Sequence, residues 1–93
     1  MSEVIWTDPA LVNLEAIRIY IEQFNPQAAR RLADSLIESG NSLAQFPHRG
    51  RPVPRTDIRE LVTSLPYIIR YQVVGDIVVI LRIRHSSRRP TNP

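Results

Sequence analysis

The chain has 93 residues, of which 43% are hydrophobic and 23% are charged, and its formal net charge is +3. This length accommodates one domain with one modest hydrophobic core. The sequence contains no cysteine, which excludes a disulfide framework, a zinc–thiolate site and a thiol nucleophile. The first residues lack the basic and apolar regions of a signal peptide, and the longest aliphatic run, residues 77–81, is too short to span a bilayer. We therefore expect a single cytoplasmic domain over residues 1–93, with a short flexible tail from about residue 87.

The first half of the chain predicts one strand and two helices. Residues 3–6 predict a short strand, after which Thr7 and Pro9 supply a helix N-cap and a proline suited to the first turn. Asn25 and Pro26 repeat that signal, so the second helix follows at once and the two helices form an antiparallel hairpin. Apolar residues at helical spacing predict which sides face the core. These residues are Leu11, Leu14, Ile17, Ile21 and Phe24 on the first helix, and Ala28, Ala29, Leu32, Ala33, Leu36, Ile37 and Leu43 on the second.

The second half of the chain predicts three strands after a loop. Residues 46–55 contain three prolines, a glycine and three arginines, which indicates the loop. Residues 58–64, 67–74 and 77–84 are rich in β-branched and aromatic residues and are separated by turn residues, which predicts an antiparallel meander. The first strand must pair with one of these three, because a lone strand leaves its backbone groups unpaired. The predicted fold is α+β, in the order β-α-α-β-β-β, with the helical hairpin packed on an antiparallel sheet.

Alternation along the strands predicts one sheet face that meets the helices and another that carries arginines. For the middle strand we expect one face with Ile69, Tyr71 and Val73 and the other with Ile68, Arg70 and Gln72. For the last strand we expect one face with Val79, Leu81 and Ile83 and the other with Ile80, Arg82 and Arg84.

All twelve basic residues are arginine, and they are unevenly distributed. Residues 1–45 contain three arginines and six acidic residues, whereas residues 46–93 contain nine arginines and three acidic residues. The C-terminal half therefore carries a positive field, and guanidinium groups bind phosphate and carboxylate alike, so we expect this half to engage another macromolecule. The alternative for any single arginine is a solvated sheet face. The arginines expected to gather on one surface, with no nearby acid in the sequence to neutralise its C-terminal end, are Arg59, Arg70, Arg82, Arg84, Arg88 and Arg89.

Familiar enzyme motifs are missing from the sequence, which has no Gly-rich phosphate loop, no GxSxG and no His/Cys cluster at metal spacing. We therefore expect no cofactor and no metal. His85 ends the last strand, where a neutral imidazole is either a candidate general base or a structural strand-end residue. Tyr67 is the candidate for stacking on a nucleic-acid base, whereas Tyr71 belongs to the core-facing set.

Five segments follow one another over nearly the whole chain: WTDPALVNLEAIRIYIEQFNPQAARRL, FPHRGRPVP, IRELV, YIIRYQV and DIVVILRIRHSSRRP. In order and spacing they resemble the RelE/ParE superfamily of bacterial toxin–antitoxin toxins. The resemblance implies a toxin that a cognate antitoxin neutralises by wrapping around it, in a complex that contacts operator DNA only through the antitoxin. The first helix has apolar residues beyond its core-facing stripe, and we expect these to contact the antitoxin. They are Val12, Ile19 and Tyr20.

Two activities occur within that superfamily: one branch cleaves mRNA on the ribosome, and the ParE branch binds and poisons DNA gyrase. The nuclease branch typically uses lysines, or a Glu-Arg-His set, with an arginine three positions before the tyrosine of the middle strand. In this chain that position is Ile68, and there is no lysine. The segments GRPVP, IRELV and the final H-x-x-R resemble the ParE branch, which favours gyrase inhibition without a catalytic residue. The expected target-binding residues are Arg59, Arg70, Arg82, Arg84, His85, Arg88 and Arg89.

The alternative is a ribosome-dependent mRNA endoribonuclease. Arginine is a poor proton-transfer group because its pKa exceeds about 12, so general base catalysis would fall to His85 or Glu60. Arg59 and Arg70 would complete that site. A third interpretation is an inert or merely repressive partner in the antitoxin complex.

Overall fold

The computed structural model describes residues 2–87, in which two helices pack against one face of a five-stranded sheet. The strand order across the sheet is β1-β5-β4-β3-β2. The α+β class and the order β-α-α-β-β-β are confirmed, and a two-residue strand, β2, is found inside the predicted loop 46–55. The elements are β1 (Glu3–Trp6), α1 (Asp8–Glu22), α2 (Pro26–Asn41), a 3₁₀ turn (Ser42–Ala44), β2 (Arg51–Pro52), β3 (Ile58–Val62), β4 (Tyr67–Val74) and β5 (Ile77–His85).

The sheet is mixed, whereas an antiparallel sheet was predicted. Strand β1 pairs with β5 in parallel, from Glu3 opposite Ile77 to Trp6 opposite Ile80, while the other three pairings are antiparallel. A hairpin forces its two strands to be antiparallel, but β1 reaches β5 through both helices and most of the sheet, so no such constraint applies. The prediction that β1 pairs with one of the later strands is confirmed, since its backbone groups are bonded to β5.

Both predicted helix caps are present. The Thr7 hydroxyl accepts a hydrogen bond from the amide of Ala10 at 3.3 Å, and the Asn25 side chain accepts one from the amide of Ala28 at 3.0 Å. These bonds satisfy amides that the first helical turn leaves without partners. Each helix has a proline in its first turn, where the missing N–H costs nothing.

Three apolar residues assigned to the core are exposed instead. Leu11 and Ile37 lie beside the line where α1 and α2 meet, and they line an open groove between the helices. Phe24 lies two residues beyond Glu22, the last residue of α1, so helical spacing no longer directs it toward the sheet. Ala29 and Ala33 on α2, which were also assigned to the core, are buried.

Strand β5 contains a β-bulge that the alternation pattern did not predict. Arg70 lies opposite Arg82, but the next residue of β4, Tyr71, lies opposite Ile80, so Leu81 is an extra residue on β5. An inserted residue of this kind reverses the alternation of side chains between the two sheet faces beyond it.

The bulge changes which residues of β5 face the helices. The buried residues of this strand are Val78, Ile80 and Ile83. The prediction that grouped Ile83 with Val79 and Leu81, opposite Ile80, is therefore wrong. The middle strand has no extra residue, and its predicted core-facing residues Ile69, Tyr71 and Val73 do pack into the core.

Helix α1 binds the backbone groups around the bulge. The amide and hydroxyl of Thr7 donate to the carbonyl of Ile80 at 3.1 and 2.7 Å, and the side-chain oxygen of Asn13 accepts from the amide of Ile83 at 3.0 Å. These contacts satisfy backbone groups of β5 just beyond its pairing with β1, which ends at Trp6 and Ile80. They also fix α1 across β5, on the side of the sheet that carries the core.

The core lies between the helices and the sheet. Its largest fully buried side chains are Tyr71, Leu36, Leu43, Ile69, Ile80 and Val78. Gly40 brings α2 close to the sheet, because a Cβ at this position would meet the Trp6 indole and would lie 2.9 Å from the end of Ile80. Over residues 2–87, neither helix has the length and apolar character needed to cross a membrane.

Candidate binding surface

The sheet face that points away from the helices carries a line of charged side chains. Residues directly opposite each other on neighbouring strands point to the same face. Arg51 lies opposite Glu60, Glu60 opposite Arg70, and Arg70 opposite Arg82, so these four residues cross β2, β3, β4 and β5 side by side. Arg84 follows Arg82 on the same face of β5, opposite Ile68 of β4. We call Arg51, Glu60, Arg70, Arg82 and Arg84 the charged row.

Glu60 is the acidic centre of the charged row. Its carboxylate oxygens lie 3.9 Å from Nη2 of Arg51 and 3.6 Å from Nη2 of Arg84, and its side chain is only 11% exposed. The sequence suggested that no acid lies near the C-terminal arginines, and this contact corrects that expectation. Four guanidinium groups and one carboxylate still leave the row strongly positive. The carboxylate of Glu60 orients the guanidinium groups of Arg51 and Arg84.

Arg59 is not part of the charged row. It lies opposite Tyr71 and therefore on the helix-facing side of β3, where its Nη1 donates to the carbonyls of Gly50 at 2.7 Å and His48 at 3.2 Å. These bonds hold the segment that precedes β2. The expectation that Arg59 joins Arg70 and Arg82 on one surface is thus corrected. Arg59 directly precedes Glu60 on β3, and neighbouring residues of a strand point to opposite sheet faces.

His85 also lies on the other side of the sheet from the charged row. It is opposite Tyr67, and the two rings meet edge to face with their centroids 5.3 Å apart. Its Nδ1 accepts a hydrogen bond from the Ser87 amide at 3.1 Å, and the Ser87 hydroxyl lies 2.7 Å from the same nitrogen. An Nδ1 that accepts from an amide carries no proton, so in the neutral ring the proton is on Nε2.

Two other sequence expectations bear on this surface. Tyr67, the predicted stacking residue, is buried, so its ring is not available to a nucleic-acid base. Arg88, Arg89 and the predicted tail beyond Ser87 lie outside the described residues.

The loop before β2 is fixed by the core and places Arg51 in the row. The Tyr71 hydroxyl donates to the carbonyl of Pro47 and accepts from the amide of Gly50, both at 2.8 Å. A Cβ on Gly50 would lie 2.7 Å from that hydroxyl oxygen and 2.9 Å from the Glu60 carbonyl, so the close approach requires glycine. Arg51 was not among the target-binding residues expected from the sequence, because a strand of two residues leaves no periodic signal.

Replacement of Tyr71 with phenylalanine tests how strongly this loop is held. We expect Tyr71→Phe to lower the free energy of unfolding by about 1–3 kcal/mol, because the buried amide of Gly50 loses its acceptor. Urea unfolding measures the change. Tyr20→Phe, at an exposed tyrosine, should change stability by less than about 0.5 kcal/mol. Equal losses in the two variants would contradict the role of the hydroxyl.

Tyr71→Phe should also change how the stability of the protein depends on pH. Burial raises the pKa of the Tyr71 hydroxyl above its ordinary value of 10.0. The unfolded chain therefore ionises first as the pH rises, so the stability of the parent should fall above about pH 10. In Tyr71→Phe this part of the alkaline decline should be missing. An identical alkaline decline in the two proteins would show that Tyr71 does not cause it.

The helical side of the molecule carries an exposed apolar surface. Val12, Ile19 and Tyr20 are 65%, 47% and 61% exposed, and their spacing places them on one side of α1. Next to them, the groove between α1 and α2 has a volume of about 380 Å³ and includes Leu11 and Ile37. Charged residues border this groove, where Arg18 is hydrogen-bonded to both Glu15 and Glu22.

Comparison with known proteins identifies the family. Residues 4–90 match the model of the ParE toxin of type II toxin–antitoxin system, parDE. The chain is similar to Toxin RelE2 of Caulobacter vibrioides, with 51% identity over 88 residues that cover 95% of this chain and 99% of that protein.

Two solved structures have a similar fold. The fold is similar to that of a chain from the chromosomal ParDE toxin–antitoxin system of P. aeruginosa, with a TM-score of 0.82, 27% identity and coverage of 91% of this chain and 96% of that one. It is also similar to a chain of the RelBE2 toxin–antitoxin complex of Mycobacterium tuberculosis, with a TM-score of 0.69, 23% identity and coverage of 90% and 96%. Because the family model spans nearly the whole chain, the chain belongs to the ParE toxin family, within the RelE/ParE superfamily of type II toxins.

Proposed function

We propose that this toxin inhibits DNA gyrase by direct binding in the cytoplasm and that a cognate antitoxin neutralises it. The observation that carries this proposal is the charged row, which offers four guanidinium groups and one carboxylate, Glu60, that is paired with two of them. Arginine remains protonated at physiological pH, so the row can bind anions without performing acid–base chemistry.

The candidate general bases of the nuclease alternative are poorly placed for it. The Glu60 carboxylate is almost covered and is engaged by Arg51 and Arg84. His85 lies on the other sheet face, and its Nδ1 is occupied by Ser87. A general base must reach the proton that it removes, and the Glu60 side chain is only 11% exposed while His85 is separated from Arg70 by the sheet. This arrangement favours inhibition by binding over RNA cleavage.

Aromatic residues are also absent from the outward positions of the strands in the part of the chain that the structure describes. Trp6, Tyr67 and Tyr71 face the helices, whereas Tyr20 and Phe24 belong to α1 and the turn after it. Proteins that hold single-stranded nucleic acid commonly stack its bases on exposed aromatic rings. A surface of arginines without such rings is poorly suited to grip a single-stranded messenger.

The antitoxin is proposed to dock on the helical side. The exposed apolar side of α1 and the groove beside it fit the apolar face of an amphipathic helix, and a further antitoxin segment would cover the sheet near β5. The similar folds come from toxin–antitoxin assemblies, which supports a partner of this kind. Operator DNA would be contacted by the antitoxin and not by the toxin.

Ribosome-dependent mRNA cleavage remains the second candidate, because the relative with 51% identity carries the name RelE2. Replacement of His85 tests this candidate. We expect His85→Gln to leave growth inhibition within about twofold of the parent, whereas the loss of a general base lowers a catalysed rate by about 10² to 10⁴. Cuts in the messenger at the ribosomal A site that disappear in His85→Gln would favour the nuclease.

A supercoiling reaction tests the proposed function itself. Purified toxin is titrated into gyrase, ATP and relaxed plasmid, first alone and then with the antitoxin encoded beside it. The proposal predicts loss of supercoiling that depends on toxin concentration and is reversed by the antitoxin. Full supercoiling at a large molar excess of active toxin would contradict gyrase as the target.

A further inference from the structure

The charged row differs from a typical protein-binding centre. Protein interfaces usually place apolar or aromatic anchors at the centre and keep charged residues at the rim. Here Glu60, Arg70 and Arg82 occupy adjacent positions in the middle of the sheet face, with Arg51 and Arg84 around the carboxylate. A surface whose centre is charged is better matched to a polyanion than to a folded protein.

The dimensions of the row match a phosphate backbone. Neighbouring strands lie about 4.8 Å apart, so the step from β2 to β5 spans about 14 Å. Each strand of duplex DNA presents one phosphate per about 3.4 Å of helix axis. Laid along the duplex axis, the row from Arg51 to Arg82 covers a stretch that contains about four phosphates of one strand, and its guanidinium groups can contact those that face the sheet. The missing aromatic rings point to the outside of a duplex and not to unpaired bases.

We propose that the charged row binds the phosphate backbone of duplex DNA. Glu60 acts as a positioning residue that fixes the guanidinium groups of Arg51 and Arg84. This inference rests on the proposed function and deepens it, since it names the DNA held by gyrase as the contact of this surface. Binding is not sequence-specific, because contacts to phosphate carry no direct sequence information.

Salt dependence provides the test. The full chain is titrated against a short fluorescein-labelled duplex, and anisotropy is measured at several salt concentrations between about 50 and 200 mM. Four arginines and one carboxylate give a net charge near +3, so we expect the logarithm of the binding constant to fall with the logarithm of salt concentration with a slope of roughly −3. The double variant Arg70→Gln/Arg82→Gln should bind at least about tenfold more weakly and lose roughly two units of slope.

The matched control is Arg31→Glu, which changes the net charge by the same amount on the exposed side of α2. It should keep most of the parent's affinity and slope, and thermal unfolding should show that both variants fold. Equal weakening by Arg31→Glu would overturn the inference, because net charge alone would then explain binding. Tighter binding to single-stranded RNA of equal length would overturn it in favour of RNA.

Measuring gyrase inhibition alongside duplex binding distinguishes a failure of this inference from a failure of the proposed function on which it rests. If the double variant retains duplex binding but loses gyrase inhibition, the row contacts the gyrase protein and the inference fails while the proposed function stands. If the parent binds duplex through the row but does not inhibit gyrase, the proposed function fails and the DNA site stands.

Discussion

Replacement of Arg70 and Arg82 together with glutamine is expected to weaken gyrase inhibition about 100-fold or more. Each charge-assisted hydrogen bond contributes about 1.5–3 kcal/mol, and every 1.4 kcal/mol is a factor of about ten in affinity. Both side chains lie on the sheet face opposite the core, so the fold should be retained. The measurement is the toxin concentration that halves supercoiling, compared between parent and variant.

Two comparisons strengthen this experiment. Arg31→Glu should inhibit gyrase as the parent does, and the remaining inhibition by the double variant should depend less on salt. A chain truncated after Ser87 keeps the contact with His85 and tests the contribution of Arg88 and Arg89 by the same assay. If the double variant inhibits gyrase as well as the parent does, the charged row is only a solvated surface.

Replacement of Ile19 and Tyr20 with aspartate is expected to weaken antitoxin binding about 100-fold or more. Apolar anchors at the centre of an interface commonly contribute 2 kcal/mol or more each, and a carboxylate in their place must also lose its hydration. Both side chains are exposed in the free toxin, so the change should leave the fold intact. Calorimetric titration with the antitoxin measures the loss, and the variant should remain toxic when the antitoxin is co-expressed.

The matched control for this variant is Phe46→Asp. Phe46 and Tyr20 are both 61% exposed, but Phe46 lies in the segment after the 3₁₀ turn and not on α1. Phe46→Asp should bind the antitoxin as the parent does. Unchanged binding by the Ile19→Asp/Tyr20→Asp protein, or equal losses in the two variants, would place the antitoxin elsewhere.

The features that the sequence predicted well depend on neighbouring residues. The caps at Thr7 and Asn25 are local hydrogen bonds, and the turn at Gly75 requires the positive φ of 59° that glycine adopts readily. The strands also have clear signals, since β4 matches residues 67–74 as predicted. Such features are encoded within a few residues, so the class and the order of the elements follow from them.

The sequence predicted Arg70, Arg82 and Arg84 on one sheet face, but the core-facing residues of β5 could not be predicted in the same way. They depend on the bulge at Leu81, which leaves no signal in the alternation of the sequence. The bulge allows Arg82 and Arg84 to share a face with Arg70 while Ile80 and Ile83 remain in the core.

The other differences between the predicted and the observed surface come from the alternation of side chains along a strand and from the length of β2. Arg59 and Glu60 are neighbours in sequence but lie on opposite sheet faces, so one supports the loop and the other orders the row. Arg51 joins the row only because Tyr71 and Gly50 hold a strand that is too short to leave a pattern.

Competition between the two candidate targets shows whether the toxin prefers gyrase or the ribosome. The toxin is immobilised and incubated with equal concentrations of purified gyrase bound to DNA and of translating ribosomes, and the retained complexes are quantified. We expect preferential retention of gyrase, which Arg70→Gln/Arg82→Gln largely abolishes and His85→Gln does not. Retention of ribosomes in preference to gyrase, with dependence on His85, would contradict this expectation.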